Sequence, residues 1–198
     1  CLAHGLGGLE LSAVNCFEYF KNITECRIIV APNTKLDDFI KSEKKTTIKR
    51  NKFFPFIPAL QLAKFIDNND IDIVHFHWGK DIMTVVLAKL LSKKKPKIIH
   101  SRHMNMTRFK DDFYHRWLYK NIDLLHSVTK QIEEQMQRFI PQESRPPIKT
   151  IYLGAKESQV AMQKVEDLRA KYALKDAFIV GIVGSICEDK GQYIVTEA

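Results

Sequence analysis

An α/β fold built on a parallel sheet is predicted by three features of this sequence. Short apolar runs such as Arg27-Ile-Ile-Val-Ala31 and Lys97-Ile-Ile-His-Ser101 alternate with stretches at helical spacing. Ile71-Asp-Ile-Val-His-Phe-His77 carries apolar residues on both faces, as a strand covered on both sides does. The alternation repeats along the chain, and consecutive βα units of this kind close as parallel strands with right-handed crossovers.

Each element follows from its own residues. Leu9, Ala13, Cys16, Phe17 and Phe20 fall at helical spacing after Gly7-Gly8, so a helix begins near Leu9 and buries one stripe. The strand at Arg27 to Ala31 ends at Pro32, and Thr46-Thr-Ile48 reads as a weaker strand. Pro58 opens a helix to about Asp67, ahead of the strand at Ile71 to His77. Lys80 to Ser92 is helical, rich in Val, Leu and Ala, and Lys97 to Ser101 is the next strand. A helix over Lys110 to Lys120, a strand at Leu124 to Val128, a helix presenting Ile132, Met136 and Phe139, and a strand at Ile148 to Leu153 complete the series. Beyond Gly154 a new unit starts: Ala161, Val165, Leu168 and Tyr172 form a helical stripe, and Phe178 to Val183 is predicted as a fresh buried strand. The expected organisation is a first domain over 1–155, a linker and helix over 156–177, and the start of a second domain over 178–198. The first residue is not Met and Cys1-Leu-Ala-His4 reads as the tail of a strand already under way, so both ends are expected to be truncated.

Composition excludes several classes. Of 198 residues, 45% are hydrophobic and 27% charged, which is ordinary for a globular protein and not for a disordered one. No apolar run reaches the ~18 residues that a transmembrane helix needs. Cys1, Cys16, Cys26 and Cys187 lack C-x-x-C or zinc-type spacing, so free thiols and a cytoplasmic location are expected. The net charge of +8 lies largely in Lys41-Ser-Glu-Lys-Lys45, Lys49-Arg50-Asn-Lys52 and Lys93-Lys-Lys95. These are either solvated loops or a basic surface facing an anionic membrane. Aromatic and basic residues do not interleave, so nucleic acid is not an expected partner.

In an open parallel sheet ligands sit beyond the carboxyl ends of the strands. The sequence sends His4, Gly5, Gly7, Gly8 and Glu10 to that edge, with His77, Trp78 and Gly79, then Arg102, His103 and Asn105, and Ser127. Val183-Gly184-Ser185-Ile-Cys-Glu-Asp-Lys190-Gly191 adds a strand end followed by a Lys-Gly turn, an anion-binding arrangement of backbone N–H groups and one cation. Each motif has a plainer reading. Gly5-Leu-Gly7-Gly8 also suits a tight βα turn, and Glu10 suits a first-turn acid favoured by the helix dipole. His75 and His77 share a strand face and would suit a metal, but no carboxylate or cysteine sits nearby at ligand spacing, so hydrogen-bonded histidines are expected.

Gly7-Gly8-Leu-Glu10, Asp72-Ile-Val-His-Phe-His77, a strand ending in His103, Asp123-Leu-Leu-His-Ser-Val128, Ile151-Tyr-Leu-Gly154 and the Val183 to Gly191 turn occur in that order. Together they resemble the retaining GT-B glycosyltransferases of family 4, over the whole chain. The resemblance implies two Rossmann-like domains across a cleft, each a parallel sheet with helices on both faces, the first holding mainly the acceptor. It implies transfer of a sugar from a nucleotide-sugar donor to a cell-envelope glycolipid or polysaccharide, with retention of configuration and no metal or other cofactor. Gly7 and Gly8 would approach the donor diphosphate, as would Lys190 and Gly191, with Ser185 standing where the family commonly has arginine. His103 would contact the donor sugar near the reacting carbon and is the expected catalytic residue. The family's pair of glutamates would lie past Ala198, so this chain alone is expected to be inactive. A sugar-phosphate synthase of the same fold and a noncatalytic Rossmann-like binding domain are the competing readings.

Partners are suggested by two further segments. Glu10, His77, Arg102, Asn105 and Arg108 are candidate acceptor or sugar contacts, and Arg102, Arg108, Lys110, His115 and Arg116 would either hold an acidic acceptor or form a solvated helix face. Phe53-Phe54-Pro55-Phe56-Ile57-Pro58, flanked by Lys49, Arg50, Lys52 and Lys64, would either dip into a membrane interface or pack as a core loop. The first of these alternatives places the protein peripherally on the inner face of the plasma membrane.

Overall fold

A computed structural model describes residues 1–51, 54–154, 162–174, 177–184 and 186–197. It divides into two compact units, Cys1–Leu153 and Gly154–Ala198.

In the first unit, α1 (Gly8–Phe20) is followed by β1 (Ile28–Val30), α2 (Lys35–Phe39), β2 (Lys45–Thr47), α3 (Phe56–Asn68) and β3 (Ile73–Phe76). Then come α4 (Ile82–Leu91), β4 (Lys97–Arg102), α5 (Phe113–Lys120), β5 (Leu124–Ser127), α6 (Lys130–Phe139) and β6 (Ile148–Thr150). All strands pair in parallel, β1 with β2 and β3 to β6 in the order β3-β4-β5-β6. The expected α/β architecture, a Rossmann-like parallel sheet flanked by helices, is therefore present. The main core gathers Ala59, Ile66, Val86, Ala88, Ile98, Leu118, Leu125 and Met136, each no more than 1% exposed. A smaller one under α1 joins Val14, Phe17, Ile28, Val30, Leu36 and Ile40.

One carboxylate fixes how β4 and β5 lie against α4. Asp123 accepts from Lys89 Nζ at 2.5 Å, Lys97 Nζ at 2.9 Å and the Ile98 N–H at 2.8 Å. Partial burial opposes its ionisation, but the bonds from Lys89, Ile98 and Lys97 outweigh that and hold the carboxyl below its ordinary range.

Several expectations need correction. Cys1 to Ala3 form no strand ladder; the Cys1 nitrogen donates to the Ile29 carbonyl at 2.8 Å and the Leu2 N–H to Asp81 Oδ2 at 2.9 Å. α3 starts two residues before Pro58. Phe20, expected in the buried stripe of α1, is 44% exposed. In α3, Ala59, Leu62, Ala63 and Ile66 face the core while Phe56, Ile57 and Leu60 are 48 to 62% exposed. With Phe54 also 66% exposed, the core-packed reading of this segment does not hold for those residues; Phe53 lies outside the described residues.

The second unit contains α7 (Met162–Lys171) and α8 (Gln192–Glu197). Phe178 to Val183 is neither a strand nor buried: Phe178 is 94% exposed and Ile179 50%. A strand exists through its ladder, and none of the described residues pairs with this run. Apolar content alone therefore did not make it one.

Candidate active site

The carboxyl ends of β3 and β4 bring histidines together. β3 runs into His77, and β4 ends at Arg102, one residue before His103. Because the two strands pair in parallel register, Phe76 opposite His100, the residues that leave them emerge side by side. His77 Nδ1 lies 2.9 Å from His103 Nε2, with ring centroids 5.2 Å apart. Burial, then the neighbouring histidines His75 and His103, push the His77 pKa down to about 2. Burial also lowers His103, with His126 adding to the shift and the Glu10 carboxylate opposing it. Both rings are accordingly neutral at pH 7, and one donates to the other.

A second chain of bonds crosses the same strands one step back. His75 Nε2 meets Ser101 Oγ at 2.7 Å, Ser101 Oγ meets His126 Nδ1 at 2.6 Å, and His126 Nε2 donates to the Ile151 carbonyl at 2.9 Å. His75 is exposed as a residue, yet partial desolvation and then the nearby His126 lower its pKa to about 4. Deeper still, His100 is 1% exposed and stacks on Phe76 at 4.2 Å, and neither of its ring nitrogens has a hydrogen-bond partner among the described residues.

The remaining expected residues separate into those held for structure and those left open. Glu10 Oε2 accepts from the Gly7 N–H at 2.8 Å, so this carboxylate closes the first turn of α1. Its field nonetheless reaches His103. Gly8 and His4 are exposed. Arg102 donates from Nε to the Met104 carbonyl at 2.9 Å and from Nη2 to the Asn105 carbonyl at 3.0 Å, organising the loop that carries His103. A Cβ on Gly79 would stand 3.2 Å from Arg102 Nη1, so only glycine lets the guanidinium lie against this turn without displacement. Trp78, just before it, has Arg50 at 4.8 Å and Lys80 at 5.4 Å from its ring centroid.

Lys110 senses the charges of Arg102 and Arg108. Partial burial first, then Arg102, lower the Lys110 pKa, with Asp112 opposing and Arg108 adding to the shift. His115 and Arg116 do not join them freely: His115 pairs with Asp112 and Arg116 Nε donates to the Asp111 carbonyl. Ser127 is buried and its Oγ donates to the Thr129 carbonyl, a structural role. In the second unit Gly191 has φ 67°, the left-handed conformation that favours glycine, and its N–H donates to the Glu188 carbonyl. The Lys190 stem folds back on Gly184, within 3.8 Å of where its Cβ would stand. Ser185 lies outside the described residues.

Sequence reasoning did not find Ser101, His126 or the nearness of Cys16 to the histidines. A histidine and a serine at alternate positions of neighbouring strands were visible, but the register that joins them was not.

The model of Glycosyltransferase Family 4 matches residues 7–158, so it spans the α1 turn, both histidine-bearing strands and the exit from β6. The chain belongs to glycosyltransferase family 4. No curated protein sequence is matched. Among solved structures, Anabaena HepE (Alr3699) in complex with UDP and glucose aligns at TM-score 0.75 and 11% identity, covering 100% of this chain and 55% of that one. The same protein with UDP aligns at TM-score 0.73, 13% identity and 99% and 55% coverage. Apo WaaB, a lipopolysaccharide outer core galactosyltransferase, aligns at TM-score 0.60 and 18% identity, covering 80% of this chain and 45% of WaaB. These likenesses show the GT-B fold, and the family 4 chain described here spans about half the length of each. No helix among its described residues is long and apolar enough to cross a membrane.

Proposed function

We propose that this family 4 chain supplies the acceptor-side domain, with the beginning of the donor domain, of an enzyme that transfers a sugar from a nucleotide-sugar donor to a cell-envelope glycolipid or polysaccharide, with retention of configuration. The observation that carries the reading is the neutral His103, hydrogen-bonded to His77 just past a strand end and within the field of Glu10. HepE with UDP and glucose and the galactosyltransferase WaaB support a nucleotide-sugar donor.

Departure of a nucleoside diphosphate places negative charge on phosphate oxygens. The Gly7-Gly8 turn at the positive end of a 13-residue helix suits that charge, through the Gly8 N–H directly and through the Gly7 N–H where the diphosphate displaces Glu10. The same phosphate chemistry is proposed for Lys190 and Gly191 within the second unit, without a metal. A neutral imidazole at His103 can hydrogen-bond a sugar hydroxyl and lie near the developing positive centre without repelling it. Arg102, Arg108 and Lys110 form a cationic patch suited to a phosphate or carboxylate on the acceptor. Phe54, Phe56, Ile57 and Leu60, with Lys49 and Lys64 exposed nearby, suit the interface of an anionic membrane on which a lipid-linked acceptor would be met.

Screening a panel of nucleotide sugars against the protein for protection from thermal unfolding and for donor hydrolysis tests the reading. One donor should stabilise the fold by mass action. Protection by none of them, in a protein that also contains a complete donor domain, overturns it.

A further inference from the structure

Cys16, His75 and His77 bring one sulfur and one ring nitrogen each within 4.8 Å of one another. The two histidines stand two residues apart and project from one face of the sheet, with ring centroids 4.4 Å apart. Cys16 reaches them from α1.

Each histidine already has one nitrogen held by a partner. His75 Nε2 bonds Ser101 Oγ, itself fixed by His126, and His77 Nδ1 bonds His103 Nε2. Histidines that ligate metals characteristically hold their second nitrogen this way, which fixes ring orientation and tautomer. A metal that preserves these bonds would take Nδ1 of His75, Nε2 of His77 and Sγ of Cys16. Two imidazoles and a thiolate are a nitrogen and sulfur donor set with no carboxylate, which disfavours magnesium or calcium and suits zinc.

From this geometry we infer that Cys16, His75 and His77 form a three-ligand site for a zinc-class divalent cation, with a fourth position left for a small exogenous ligand. The histidines are neutral at pH 7 and need lose no proton to bind. Burial holds the Cys16 thiol protonated, so binding forms the metal–sulfur bond and releases one proton from Sγ to solvent. Metal on His77 Nε2 leaves the remaining ring proton on Nδ1, donated to His103. The site is therefore accessory to the sugar-transfer chemistry and connected to it through one hydrogen bond. It stands independently of the proposed transferase activity, because its test reads metal binding alone.

Titration of the purified protein with Co2+, a spectroscopic stand-in for zinc, and displacement by Zn2+ provide that test. One equivalent should produce a sulfur-to-cobalt charge-transfer band that Zn2+ abolishes. Cys16→Ser should remove the band, while Cys26→Ser and Cys187→Ser leave it unchanged. His75→Asn, at a partly exposed position, should fold and weaken binding at least about tenfold. No charge-transfer band at saturating Co2+, its persistence in Cys16→Ser, or unaltered affinity in His75→Asn each overturns the assignment. Should Cys16→Ser fail to fold by circular dichroism, the affinity of His75→Asn alone decides.

Discussion

His77 Nδ1 and His103 Nε2 lie 2.9 Å apart at the ends of adjacent parallel strands, so the two imidazoles share one hydrogen bond and neither orients alone. In an active enzyme containing this chain, His103→Ala is expected to lower donor turnover at least about a hundredfold, as is Lys190→Ala. His77→Ala should act through His103, reducing kcat about tenfold with little change in KM for the donor. His77→Asn, which can still donate a hydrogen bond, should recover part of that loss. Steady-state kinetics decide, and near-normal turnover in His103→Ala removes it from the chemistry.

Acid should destabilise the fold through its histidines. The folded-state values of about 3 for His100 and about 4 for His75 lie below their ordinary 6.5, so the unfolded chain takes up protons first as pH falls. Stability is complete above pH ~6.5 and declines between there and pH ~3, at up to about 1.4 kcal/mol per pH unit for the buried His100 and by less for the exposed, solvent-screened His75. His100→Phe keeps the stack on Phe76 and removes two buried nitrogens that have no partner among the described residues. It should flatten the decline by one proton and be neutral or stabilising at pH 7. Urea unfolding at pH 7, 6, 5 and 4 measures both; an unaltered slope would mean that folded His100 accepts a proton.

Asp123→Ala should cost about 1 to 3 kcal/mol, because it leaves the Ile98 N–H without its acceptor and Lys89 with the Asn121 carbonyl alone, while Lys97 turns to solvent. Denaturant midpoints at constant m-value test this. A loss below ~0.5 kcal/mol would show that Lys89 and Lys97 are satisfied by water.

The exposed face of α3 predicts binding to anionic vesicles. Sedimentation with phosphatidylglycerol-containing liposomes should be salt-sensitive and should fall at least about tenfold in a Phe54→Ser, Phe56→Ser, Ile57→Ser triple variant. Equal binding to neutral vesicles, or no effect of the substitutions, would assign these side chains another partner.

Much of the first unit was legible in the sequence because its strands are short apolar runs bounded by turns. Ile98 and Leu125 show it plainly, each fully buried where alternating elements placed a strand. α2 escaped notice because its five residues bury only Leu36 and carry no stripe. Its local signal was there in Thr34, whose hydroxyl accepts from the Asp37 N–H. Phe178 to Val183 failed for the opposite reason, since apolar composition is local and a ladder is not. Within the site, His77 and His103 were readable as residues just past strand ends. Their contact, the Ser101 link between His75 and His126, and the approach of Cys16 depend on inter-strand register and on where α1 packs, which no local pattern encodes.

Trp78 and Trp117 are the only tryptophans in the chain, and they report on different places. Trp117 packs against the main core, whereas Trp78 sits between two cations at the mouth of β3. Replacing Trp117 with phenylalanine would leave one indole whose emission tracks the charges around it. Occupancy of the histidine site then becomes an optical signal, readable in milliseconds without any label.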